Sequence, residues 1–165
     1  MGITSLGYLG VRSDRLDDWT DFAAGHLGMQ CIDRGGKQLA FRMDDLHQRL
    51  VVSDEPGETL AFMGWQVESP DDLAAIGARL EQAGHAVEHG SRDLADRRYV
   101  ADLIVNHDPA GNRLAFFHDP MRCADPLQPG RPIPGCRPDP PGPGPPVLHA
   151  HDAPPRLRAY ADSPG

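Results

Sequence analysis

The stretch TLAFMGWQVESPDDLAAIGARLEQAG, Thr59 to Gly84, decides the fold, because it pairs a strand with a helix that announces both of its own ends. Thr59 to Val67 is a run of β-formers of strand length. Ser69 follows as an N-cap, with Pro70 at the first helical position and acids in the first turn. Leu73, Ile76 and Leu80 then recur on one helical face until Gly84 stops the helix. The same order occurs earlier. ITSLGYLGV (Ile3 to Val11) reads as a strand, Ser13 as a cap, Leu16, Trp19 and Ala23 as a helical stripe, and Gly28 as the stop. Ser13 and Ser69, like Gly28 and Gly84, are separated by 56 residues, an agreement that points to an internal duplication.

Strand candidates joined by turn residues follow each helix. MQCID, Gly35-Gly36, QLAFRM, Asp44-Asp45 and QRLVVS complete the first unit; HAVEH, YVADLIVNH, the turn from Asp108 to Gly111 and NRLAFF complete the second. The expected class is α+β, two paired βαβββ modules at about 1–56 and 57–122. Each helix covers one face of a curved sheet, and the other face is concave. In NRLAFF, alternation puts Leu114 and Phe116 on the helix-covered face and Ala115 and Phe117 in the concavity.

Beyond Arg122 the composition changes. Of 17 prolines, 13 lie between Pro126 and Pro164, so residues 123–165 are expected to form an extended or disordered Pro/Gly-rich linker, and the fold to end near Arg122. The formal charge of −8 argues against nucleic acid as a partner. No apolar run approaches the roughly 18 residues of a membrane span, and no signal-peptide pattern follows Met1; the expected location is cytoplasmic, with no membrane partner. Cys31, Cys123 and Cys136 lack metal-type spacing and are taken as ordinary thiols. His85 and His89 are placed on a strand, where their spacing of four cannot close on one ion. His26 is taken as a helix-end charge, His149 and His151 as solvated tail residues, and Asp93, Asp96, Arg97 and Arg98 as a solvated salt-bridge turn. No GxSxG, P-loop or dinucleotide fingerprint is present.

Paired βαβββ units bearing SLGYLGV, LAFMGWQVESPDDL, LADRRYVADLIVNHDPAGNRLAFFHDP and PGRPIPG resemble the N-terminal domain of type I extradiol dioxygenases. These are the 2,3-dihydroxybiphenyl 1,2-dioxygenase kind within the vicinal oxygen chelate (glyoxalase/bleomycin resistance) superfamily. The resemblance covers Gly2 to about Gly135. It implies an enzyme of aromatic-compound degradation in which Fe(II), held by two histidines and a glutamate, joins a catechol to dioxygen. In that family the ligands belong to the C-terminal domain. The resemblance puts Tyr8, Phe62 and Ala115 at the equivalent positions here, so no catalytic, cofactor or metal residue is expected in this copy. The first histidine of a following catalytic module would align with Pro145. Residues 123–165 are therefore expected to hold a linker and the truncated start of a second domain, the chain stopping before the catalytic domain through a frameshift, a sequence error or genuine loss. It would need no cofactor of its own and would meet a catechol-type substrate only if that domain were supplied. The alternative is a small bleomycin-resistance-like protein holding a hydrophobic or aromatic ligand against Trp65, Phe41, Phe62 and Tyr8. A homo-oligomer stays open in either case.

Overall fold

The computed structural model describes residues 2–57 and 59–132, the side chain of Arg34 excepted. Cys136, Pro145, His149, His151 and most of the expected linker lie outside the described residues.

The first unit comprises β1 (Ile3–Arg12), α1 (Leu16–Asp21), β2 (Gln30–Gly35), β3 (Gln38–Arg42) and β4 (Leu50–Ser53). The second comprises β5 (Thr59–Val67), α2 (Pro70–Gln82), β6 (Glu88–His89), α3 (Arg92–Arg98), β7 (Val100–His107) and β8 (Arg113–Pro120). All eight strands form one sheet in the order β2-β3-β4-β1-β5-β8-β7-β6. Within the units β1 pairs parallel to β4 and β5 parallel to β8, while β1 and β5 join the units as an antiparallel pair. Each half therefore repeats the other, as the α+β reading with paired modules anticipates.

The helix of the second unit forms as its sequence directs. Ser69 Oγ accepts the Asp72 N–H at 3.1 Å, Pro70 occupies the first turn, and Gly84 closes the helix at φ 84°. Its buried face, Leu73, Ile76 and Leu80, packs on Leu6, Met63, Leu114 and Phe116. Burial of such side chains contributes about 1.5–3 kcal/mol each.

The first unit departs from expectation at its helix. Ser13 Oγ accepts the Arg15 N–H at 3.2 Å, forming a turn before the helix rather than capping it, and α1 starts at Leu16. It then widens into a π-helical turn over Phe22–His26, which still buries Ala23 completely against the β3–β4 side.

Three further expectations are corrected. Only Glu88–His89 of HAVEH forms a strand; His85 donates its N–H to the Leu80 carbonyl at 2.9 Å in the turn closing α2, so the two histidines share no strand. The segment Arg92–Arg98 is a capped helix with Arg92–Asp96 and Arg97–Asp93 pairs, not a turn. The fold also does not end at Arg122. Arg42, a residue only 2% exposed, donates from its guanidinium to the carbonyls of Asp125 (3.1 Å) and Pro126 (2.8 Å), and Gln128 N–H donates to Gln30 Oε1 at 2.8 Å. Proline lacks a donor but keeps its carbonyl, and a buried guanidinium needs acceptors, so proline-rich chain can dock where only acceptors are required.

Candidate functional site

The sheet face opposite α1 and α2, the one expected to be concave, is built at its centre by β1, β5 and β8, and Ala95 of α3 packs on it. Tyr8 and Ala115 flank Gly64 in register across the three strands, and Phe62 lies two residues along β5. The three residues at the expected ligand positions are thus brought together. They are packed: Tyr8, Phe62 and Ala115 share one buried cluster with Val51, Leu103, Val105 and Phe117. The Tyr8 ring stacks on Phe117 at 4.9 Å between centroids and meets Phe62 edge-on at 6.0 Å.

Glycines make that packing possible. A Cβ at Gly64 would stand 2.3 Å from the Tyr8 ring, one at Gly10 2.2 Å from the Phe62 ring, and one at Gly7 2.2 Å from the Phe117 ring. Tyr8 and Phe62 are each seated on bare backbone of the neighbouring strand, and Phe117 on β8 reaches past β5 to Gly7 on β1, so the face is filled with rings. Of the four aromatics expected to line a binding pocket, Tyr8 and Phe62 stand on this face. Trp65 packs on the α2 side and Phe41 on the α1 side, because strand alternation carries them through the sheet.

Tyr8 is the polar exception in the cluster. Its hydroxyl is buried with no hydrogen-bond partner among the described residues. Burial pushes its ionisation up to about 12, against the opposing pull of Arg98 and Arg113.

Those two arginines belong to the polar, open end of the concavity. There a cleft of about 180 Å³ is bordered by Arg12, Glu55, Phe62, Arg98, His107 and Arg113, among others. The Arg98 guanidinium lies 3.7 Å from the Phe62 ring centroid, a cation–π contact, and burial pushes its pKa down to about 10, leaving it a cation at neutral pH. Arg98 is therefore not one of the solvated charges of its segment, as the sequence suggests it to be. A signal was available: on α3 the acids stand four residues from Arg92 and Arg97, whereas the residue four before Arg98 is Leu94.

A larger groove of about 280 Å³ opens elsewhere, beside α1, between Ser13, Arg15, Asp18, Trp19 and Phe22. His26 stacks on Phe22 at 5.6 Å there. Among the described residues no group of three or more His, Cys, Asp or Glu is placed to hold a metal ion, and no helix is long and apolar enough to cross a membrane. Cys31 and Cys123 are free thiols, and Cys123 Sγ lies 3.2 Å from His47 Nδ1.

Comparison with known proteins agrees with this architecture. The family model described as Dihydroxybiphenyl dioxygenase BphC D1 matches residues 6–57. A biphenyl-2,3-diol 1,2-dioxygenase of Sphingomonas paucimobilis is 37% identical over 137 residues, 82% of this chain and 46% of the relative. A 1,2-dihydroxynaphthalene dioxygenase of Pseudomonas putida is 34% identical over 81% of this chain and 45% of its own length. The chain thus spans less than half the length of these curated relatives. A crystal structure of catechol 2,3-dioxygenase superposes with a TM-score of 0.93 at 34% identity, covering 98% of this chain and 58% of that one.

Proposed function

Because the chain belongs to the type I extradiol dioxygenases and carries their N-terminal domain, we propose that residues 2–132 are the non-metal domain of a catechol-cleaving enzyme. On this reading they are a scaffold that shapes and shields an iron-bearing domain without binding iron themselves. The observation that carries it is the set of side chains at the centre of the concave face. Fe(II) in a facial site asks for two imidazoles and a carboxylate on one side of the ion. Tyr8, Phe62 and Ala115 offer a single heteroatom, a phenol held protonated by burial, and two groups that cannot coordinate. The residues present do not fit the metal. Catechol or dihydroxybiphenyl cleavage would depend on residues outside this domain.

Anaerobic loading of the purified chain with Fe(II), followed by metal analysis and incubation with 2,3-dihydroxybiphenyl, tests the proposal. Iron well below stoichiometry and no ring-opened product are expected. Stoichiometric iron with turnover, retained when His149 and His151 are replaced by alanine, would overturn it.

A further inference from the structure

The open end of the concavity has a chemistry that a scaffold does not require. In a chain of formal charge −8, one cleft gathers the guanidiniums of Arg12, Arg98 and Arg113 around the single carboxylate of Glu55. Two positive charges are therefore left over among the lining residues. Arg12 Nε stands 3.2 Å from Glu55 Oε2 in a half-exposed pair that lacks hydrogen-bond geometry. Arg98 and Arg113 have no carboxylate within ion-pair distance among the described residues, and the acids of α3 are engaged by Arg92 and Arg97.

A guanidinium removed from water without a counter-charge is costly. An oxyanion offers several acceptor oxygens to the guanidiniums, and two negative charges match the excess. We propose that this cleft binds a small dianionic oxyanion, of the phosphate or dicarboxylate type, between Arg12, Arg98 and Arg113. The three arginines come from β1, from the C-terminus of α3 and from the start of β8, so the site is held by three separately anchored elements. The proposal is independent of whether the domain serves an iron enzyme.

The test is calorimetric titration of the full chain with sodium phosphate and with succinate, at constant ionic strength set by chloride, alongside melting curves. Saturable binding at millimolar concentration or tighter is expected, with a rise in melting temperature that chloride alone does not give. Tighter binding of phosphate assigns a phosphate-type site, and tighter binding of succinate a dicarboxylate-type site. Arg113→Gln and Arg12→Gln should each weaken binding about tenfold or more, with the fold intact by circular dichroism. Arg98 is left in place because its cation–π contact is part of the packing. Absence of saturable binding by either anion, or binding unchanged in both arginine variants, would overturn the proposal.

Discussion

Tyr8 carries a buried oxygen that no described residue hydrogen-bonds. Replacing it by phenylalanine removes a buried hydroxyl that has no hydrogen-bond partner among the described residues and keeps the stacking on Phe117, so Tyr8→Phe should stabilise the domain by about 1 kcal/mol at pH 7, measured by urea unfolding. The pH dependence has a definite sign. In the folded chain the phenol holds its proton to about 12, whereas in the unfolded chain it releases it near the ordinary 10. Its contribution is therefore fully present below pH 10 and is lost as pH rises toward 12. The difference in unfolding free energy between wild type and Tyr8→Phe should be flat up to about pH 9 and then shift against the wild type by roughly 3 kcal/mol at most. A flat difference through pH 12 would mean that the hydroxyl is solvated. At this scale the sequence is legible where alternation governs: Ala115 faces the concavity because a strand has period two. Arg98 is not legible that way, since its burial depends on Phe62, which reaches the same place from another strand.

At the scale of elements, local punctuation was readable wherever side chain and backbone satisfy each other nearby. Ser69, Pro70 and Gly84 bound α2 as their types dictate. The first unit shows the limit. A π-helical turn inserts an extra residue per turn, which no stripe of apolar positions reveals, and it sets α1 apart from the helix it duplicates. Docking of the chain past Arg122 was hidden for a different reason: it depends on Arg42, distant in sequence, and on carbonyls that every residue type possesses. A chain ending at residue 122 should accordingly lose about 1–3 kcal/mol relative to one ending at residue 132, since the buried Arg42 guanidinium forfeits two acceptors. Equal melting temperatures for the two truncations would show that this segment adds nothing. Arg42→Met should reproduce most of the loss in the longer chain and little in the shorter one, so a double-mutant cycle isolates the contact.

The whole molecule is one sheet made by two similar halves meeting at β1 and β5, and the concave core draws on both. Tyr8 and Val51 come from the first half, and Phe62, Ala115 and Phe117 from the second. Residues 1–57 expressed alone should therefore remain unfolded by circular dichroism, while the complete chain unfolds in a single calorimetric transition. Two separated transitions would show that the halves are independent. The duplication was legible because repeated punctuation survives sequence divergence; the seating of each ring on a glycine was not, because every such pair joins two different strands. Tyr8 rests on Gly64, Phe62 on Gly10 and Phe117 on Gly7. These pairings act as a ratchet on descent. Once a ring has settled over bare backbone, shrinking the ring leaves a trench and enlarging the glycine leaves a clash, so neither half of the pair can change profitably before the other. A copy of this module that has filled its cup in this way is committed to being filled, and change comes more cheaply at the charged rim, where Arg12 and Arg113 rest on no ring of the core.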